Sequence, residues 1–263
     1  MATISLCMIV KNESAVLARC LDSIADLMDE IIIVDTGSTD NTKEIAAQYT
    51  SRIYDFKWTS DFSAARNFSF SKATMEYIYT ADADEILDDA NRERFLRLKG
   101  ALLPEIEIVQ MKYVTQGTFD TVLNAKKEYR PKLFRRLRTF TWIDPIHETV
   151  RLTPVTFDSD VEILHCPQSL HSKRDFSIFI KAFEHDGQFS PKIRTMYAKE
   201  LLKTGDKKDF TDAKPIFQLI FDNDPADDAR KEAACVLARI YRMEDNKNEF
   251  FKLTMKDMLT TPC

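Results

Sequence analysis

Short β-branched apolar runs alternate with helix-periodic stretches over the first 85 positions of this chain, and three of those runs end in polar or acidic clusters. Thr3–Val10 (TISLCMIV) fits a buried strand that stops at Lys11-Asn12-Glu13-Ser14. Val16, Leu17, Leu21, Ile24, Ala25 and Leu27 then recur at helical spacing. Glu30–Val34 (EIIIV) is a second buried strand, followed by the turn Asp35-Thr36-Gly37-Ser38-Thr39-Asp40, rich in residues that cap helices. A helix over Asn41–Tyr49, a short strand near Arg52–Asp55, a helix around Ala64–Ala73 and a strand over Tyr77–Ala81 complete the pattern. Such β-α-β-α-β order predicts an α/β fold with a mostly parallel central sheet and right-handed crossovers. Open sheets of this kind bind ligands beyond the carboxyl ends of their strands. The clusters at 11–13, 35–40 and 82–85 therefore mark a candidate site.

Beyond Pro104 the pattern reads as strands at Glu107–Val114, Tyr129–Leu137, Phe140–Ile143 and Val161–His165, expected as antiparallel additions to the sheet. From about Lys173 the chain turns helical. Arg194–Phe221 and Arg230–Leu259 carry apolar residues every three to four positions, and Ala233 follows Ala198 by 35 positions, near the period of a tetratricopeptide helix pair. The expected division is 1–170 as the sheet domain and 171–263 as a helical, tetratricopeptide-like appendage.

Composition removes several classes. Only 5 of 263 residues are glycine, too few and too far apart for a G-x-G-x-x-G or P-loop cradle. The net charge of −5 argues against a protein that tracks nucleic-acid phosphates. Five cysteines without a C-x-x-C pair read as free thiols, each expected as a small buried hydrophobe. The N-terminal residues lack the features of a signal peptide, and no apolar run reaches membrane-spanning length, so a cytoplasmic location is expected.

The chemistry lies in the clusters. Asp82-Ala83-Asp84 sets two carboxylates two residues apart just past a strand, a donor set suited to a hard divalent cation with positions left open for phosphate oxygens. D-x-D also occurs by chance in solvated loops, and its place after a β run is what raises its weight. Asp35 ends a strand and is positioned to accept hydrogen bonds from a base or ribose, while Ser38 and Asp40 suit helix capping. Arg66, near a helix start, offers a planar fork to an anion or is a surface arginine. Glu148 has the chemistry of a general base and His147 that of its helper, against the plain reading of a solvated strand glutamate. His165 ends a β run and reads either as a core histidine or as a neutral imidazole ligand to the same metal.

Taken in order, SLCMIVKNES, DEIIIVDTGSTDNT, FSAARN, YIYTADADE and RPKLFRRL…WIDPIHE resemble the family 2 glycosyltransferases of GT-A fold. The branch it is most similar to carries C-terminal tetratricopeptide-like helices and includes peptide S-glycosyltransferases of the glycocin type. The resemblance runs from about Ile4 to His165. It implies that Val10, Asn12, Glu13 and Asp35 line a nucleotide pocket, with Arg66 close by and Asp82 bridging to ribose or metal. It further implies Asp84 as the direct ligand of Mn²⁺ or Mg²⁺, His165 beside that metal, and Glu148 as the base on the acceptor, assisted by His147. The implied reaction moves a sugar from a nucleotide-diphosphate sugar, expected to be a UDP-sugar, to a peptide, protein or glycan acceptor, with inversion. It also allows a homo-oligomer through the C-terminal helices. His165 is followed by Cys166-Pro167-Gln168 where relatives commonly read H-x-G-Y, a departure at that position. The rival reading is a non-catalytic nucleotide-binding scaffold with a helical partner-binding region. A nucleotidyltransferase would carry a glycine-rich basic N-terminal loop, which this chain lacks.

Overall fold

The computed structural model describes residues 1–115, 127–136, 142–143, 145–146, 149–150, 155–166 and 172–258. Its first half alternates as read: β1 (Ile4–Val10), α1 (Leu17–Ile24), β2 (Glu30–Asp35), α2 (Thr42–Ala46), β3 (Ile53–Asp55), α3 (Phe62–Ser71) and β4 (Tyr77–Thr80). Then follow β5 (Glu85–Ile86), α4 (Asp89–Ala101), β6 (Ile108–Thr115), β7 (Lys127–Arg135), β8 (Trp142–Ile143), β9 (Thr149–Val150) and β10 (Thr156–His165). Eight strands form one sheet in the order β3-β2-β1-β4-β7-β6-β10-β5. Pairing is parallel from β3 through β4, which carries the carboxyl ends of β1, β2 and β4 to one edge.

The apolar run of β1 is continuous because both its faces are covered. Ile4, Leu6, Met8 and Val10 join a core with Leu17, Leu21 and Ile24 of α1. Cys7 points the other way, into a second core with Ile32, Val34, Phe70 and Phe134. Alternate residues of a strand face opposite sides, so a strand buried on both reads as unbroken hydrophobicity.

Two sequence expectations change, and one element enters that the sequence pattern does not announce. The later strands are not simply antiparallel additions: β7 runs antiparallel to β4 and β6, but β10 pairs parallel with β6. β10 lies beside β6 and runs in its direction, from Thr156↔Ile108 to His165↔Thr115. The Phe140–Ile143 strand survives, among the described residues, only as β8, which pairs with β9 in a separate two-stranded ladder. Finally, α4 had no reading at all. Its sequence DANRERFLRLKGA has six charged residues among thirteen and lacks an apolar stripe. It is held instead by the Asp88 cap on the Asn91 N–H (2.9 Å), by fully buried Phe95, and by Lys99, whose Nζ donates to the Leu27 carbonyl (2.8 Å) and Asp29 (2.6 Å).

Pro131 sits inside β7, where a central strand tolerates proline only at an irregularity, and the β6–β7 register shifts there between Val109 and Gln110. β4 pairs with β7 only as far as Tyr79↔Leu133. Residues 127–132 of β7 therefore overhang the end of β4, level with the loop that follows it.

Contacts divide the chain into two compact units, the first built from residues up to 143 with 149–166, the second from 145–146 with the helices beyond 172. The second holds α5 (Ser172–Asp186), α6 (Pro191–Thr204), α7 (Lys207–Asn223), α8 (Asp227–Met243) and α9 (Lys247–Met258), with α8 packed against α6, α7 and α9. Tyr197 centres its core, stacked on Phe179 at 4.7 Å and beside Phe217 at 5.3 Å. Gly205 lets α6 turn into α7: a Cβ there would lie 2.6 Å from the Leu201 carbonyl oxygen. Cys7 and Cys20 are buried as expected, whereas Cys166 is partly exposed and Cys235 exposed; Cys263 lies outside the described residues. Among the described residues no helix is long and apolar enough to cross a membrane.

Phe95 packs edge-on against Tyr79 at 5.4 Å. Its removal should empty part of the core between α4 and the sheet. Phe95→Ala is expected to lower unfolding free energy by about 3–5 kcal/mol in a urea titration. A loss under about 1 kcal/mol would mean that α4 is not anchored as described.

Candidate active site

The loops after β1 and β2 are stapled to each other. Asn12 adopts a left-handed backbone (φ 55°), its N–H donates to Ser38 Oγ (2.9 Å), and its Oδ1 accepts from the Thr39 N–H (2.7 Å). Glu13 and Ser14 donate their N–H groups to Thr42 Oγ1 (2.7 Å) and Asp40 Oδ2 (3.1 Å). Asp40 Oδ1 also accepts from the Thr42 N–H (3.1 Å), so Asp40 serves the start of α2, while Ser38 is spent on Asn12. Burial works against the charge of Asp40, but these hydrogen bonds win and hold its carboxyl down at about 2. Gly37 has φ 102°, a conformation that L side chains rarely adopt.

Asp35 is 1% exposed at the end of β2. Its Oδ1 accepts from the N–H groups of Gly37 and Ser38, both at 2.9 Å. Its Oδ2 is buried with no hydrogen-bond partner among the described residues. A buried carboxylate oxygen left unpaired is costly, which makes it an acceptor awaiting a donor. Val10 differs from its expected place: its side chain belongs to the core, and its carbonyl accepts from the Thr36 N–H (3.0 Å). Asn12 likewise has its side-chain carbonyl engaged within the protein, and the Glu13 carbonyl receives the Val16 and Leu17 N–H groups.

The loop after β4 meets the end of β10. Antiparallel pairing sets His165 opposite Glu85, and the Cys166 N–H donates to the Asp84 carbonyl (2.9 Å). This brings His165 Nε2 to 3.0 Å from Asp84 Oδ2. The His165 ring lies 4.9 Å from that of Tyr113, and its Nδ1 is buried without a partner among the described residues. Asp82 is half-exposed, with Arg66 Nη2 3.9 Å from its Oδ1. Lost hydration works against its charge, but Lys132, Arg66 and Arg130 outweigh that and hold its carboxyl below the ordinary range. Among the described residues no three histidine, cysteine or acidic side chains close into a metal cage.

Behind this loop the overhang of β7 supplies residues to which the sequence had given no role. Lys132 Nζ meets Glu85 Oε1 at 2.5 Å, with both side chains almost wholly buried. Burial raises the Glu85 carboxyl above its ordinary value even with Lys132 alongside. Arg130 lays its guanidinium 3.7 Å over the face of Tyr113 and also pairs with Glu128. The signal was present: Arg130 and Lys132 are two apart on a strand and so share one face.

On the other side, Asp61 caps α3 at the Ala64 N–H (3.2 Å) and starts the helix that carries Arg66 and Asn67. Asn67 holds the backbone of Trp142 at both its N–H (2.9 Å) and its carbonyl (3.1 Å). The structure thus brings Asp82, Asp84, Arg66 and His165 to one edge of the sheet, with Asp35 at the carboxyl end of its parallel half. Glu148 and His147 lie outside the described residues.

A family model described as Glycosyl transferase family 2 matches residues 5–153. The chain belongs to that family. Among curated relatives, a TPR repeat-containing protein of Synechococcus elongatus is 48% identical over 87 residues, 33% of this chain and 22% of that protein. The SPbeta prophage-derived glycosyltransferase SunS of Bacillus subtilis is 33% identical over 132 residues, 49% of this chain and 31% of SunS. The matches therefore span about a fifth to a third of the length of these two family relatives. A solved structure of glucosyl-3-phosphoglycerate synthase from Mycobacterium tuberculosis, in complex with Mn²⁺, UDP-glucose and phosphoglyceric acid, superposes with a TM-score of 0.51 at 19% identity, covering 72% of this chain and 82% of that one. Family match and superposition agree with the expected GT-A-like sheet and a C-terminal helical region.

Removing one partner of a buried ion pair leaves the other charge unpaired. Lys132→Met is expected to destabilise the fold by about 3–5 kcal/mol in chemical denaturation, and Lys132→Met with Glu85→Leu to recover most of that loss. A double variant no better than the single one would show that the pair is not what holds this region.

Proposed function

We propose that the protein is an inverting glycosyltransferase that moves a sugar from a UDP-sugar to a hydroxyl or thiol of a peptide, protein or glycan acceptor. The observation that carries the reading is the 3.0 Å meeting of Asp84 and His165 at the edge of the sheet, in a chain of family 2.

A carboxylate and an imidazole, with no third protein ligand closing over them among the described residues, fit a divalent cation that keeps positions for diphosphate oxygens. Mn²⁺ or Mg²⁺ bound there would neutralise the diphosphate and ease its departure. Asp35 accepts a donor of the nucleotide through its unpaired Oδ2, and the stapled loops at 11–14 and 37–42 keep that pocket in shape. Arg66 faces the diphosphate and Asp82 the ribose side. Glu148 takes the proton from the acceptor, with His147 assisting, a role that rests on the I-H-E motif. The acceptor atom bonds to the anomeric carbon as the bond to the diphosphate oxygen breaks on the opposite face, so the anomeric centre inverts. The Mycobacterium synthase bound to Mn²⁺ and UDP-glucose supports the donor class, and SunS, itself a glycosyltransferase, supports the transfer of a sugar. Residues 1–170 form the catalytic domain on this reading. The helices from 171 onward, tetratricopeptide-like in their spacing, recognise the acceptor or a partner, a second copy of the chain included.

Nucleotide release from a panel of nucleotide sugars, with Mn²⁺ or with EDTA and without acceptor, tests the reading. Mn²⁺-dependent release from one donor is expected, as is UDP binding by calorimetry only when the metal is present. Asp84→Ala should abolish both, whereas Glu148→Gln should lower transfer by at least ~100-fold and leave UDP·Mn²⁺ binding intact. If wild-type protein neither releases nucleotide nor binds UDP with Mn²⁺, this reading fails; UDP binding without release or transfer is the outcome the scaffold reading expects.

A further inference from the structure

Arg66 carries a long side chain with several rotatable bonds, yet it is almost wholly buried, with Nη2 3.9 Å from Asp82 Oδ1. The central carbon of its guanidinium, Cζ, lies 5.1 Å over the ring centroid of Trp142. Trp142 is itself immobilised. Its ring is set edge-on against Phe70 at 5.7 Å and Phe134 at 5.2 Å, and those two rings pack on each other at 5.6 Å. Its backbone is gripped at both N–H and carbonyl by Asn67, the neighbour of Arg66 on α3. One helix thus presents the guanidinium at one position and anchors the platform for it at the next. The indole Nε1 is buried with no partner among the described residues, so packing and the backbone clamp hold the ring, not a polar tether from the ring nitrogen.

We propose that Trp142 is a positioning residue for Arg66: the fixed indole face keeps the guanidinium aimed at the diphosphate, and Asn67 fixes the indole. The assignment rests on the glycosyltransferase reading above. An arginine already held over an aromatic face gives up less freedom on meeting an anion. Phenylalanine in place of Trp142 keeps an aromatic face and removes the unpaired N–H. Leucine keeps an apolar filling and removes the face.

The test uses the full chain, with UDP plus Mn²⁺ in calorimetry and donor hydrolysis for kcat and KM. Trp142→Leu is expected to weaken UDP·Mn²⁺ binding and lower kcat/KM about tenfold, and Trp142→Phe to stay within about threefold of wild type, the range of a cation–π contact. On an Arg66→Ala background, Trp142→Leu should add less than about twofold, because a platform without its guanidinium has nothing to hold. Should Trp142→Leu fail to fold, Asn67→Ala reads the same platform from its anchor in the same cycle against Arg66→Ala. Equal losses with and without Arg66, or equal losses for Phe and Leu, would overturn the assignment, since a merely structural tryptophan behaves so. Wild-type binding with unchanged variants overturns it alone. A wild-type protein that binds no UDP with Mn²⁺ overturns the glycosyltransferase reading and this assignment with it.

Discussion

Lys132 and Glu85 meet at 2.5 Å with almost no solvent exposure, directly behind the Asp82-Ala83-Asp84 loop. A buried pair of this kind adds little net stability, because desolvating two charges offsets most of their attraction. Its effect here is positional. It ties β7, a central strand, to β5 at the edge, and β5 is the strand whose pairing sets His165 opposite Glu85. The distance between Asp84 and His165 depends on that register. If Lys132 were absent, the carboxyl of Glu85 would have to find a proton or move, and the loop would move with it.

The opposite wall depends on a different device. The loops after β1 and β2 carry too little apolar surface to be packed into place, so they are bonded into place by Asn12, Ser38, Thr39, Asp40 and Thr42. The left-handed backbone at Asn12 is a local cost of about 1 kcal/mol or more that those hydrogen bonds offset. What the arrangement leaves unsatisfied is one oxygen of Asp35, and it leaves it facing nothing else that the described protein offers.

The parallel half of the sheet was legible because a strand buried on both faces writes an unbroken apolar run, and β1, β2 and β4 do so. The carboxyl ends of those strands then located the acidic clusters without any structure. α4 was not legible, since its stability rests on one phenylalanine, one cap and a lysine reaching a backbone carbonyl, none of which produces a periodic stripe. Nor was the direction of β10, which long-range pairing decides and local sequence does not. In the site, Asp82 and Asp84 announce themselves by spacing, and His165 by ending a strand. The pairing of Lys132 with Glu85 and the grip of Asn67 on Trp142 do not, because those partners lie 47 and 75 residues apart. Val10 and Asn12 show the converse. They stand where a ligand-facing residue is expected, but the protein itself uses the carbonyl of the first and the side-chain carbonyl of the second.

Charge explains why the proposed reaction calls for a cation. Asp82, Asp84 and Glu85 crowd one loop, and of the nearby positive groups Lys132 is taken by Glu85 and Arg130 is shared with Glu128. A diphosphate entering such a loop would add negative charge to a negative site. Two like unit charges about 4 Å apart repel by about 4 kcal/mol at an effective dielectric constant near 20. Arg66, held against the indole of Trp142, answers part of that field and sits 3.9 Å from Asp82. A divalent cation between Asp84, His165 and the diphosphate would convert the crowding from an obstacle into a binding site. On the proposed reading, the acidic loop would hold the cation and the cation would offset the charge of the diphosphate.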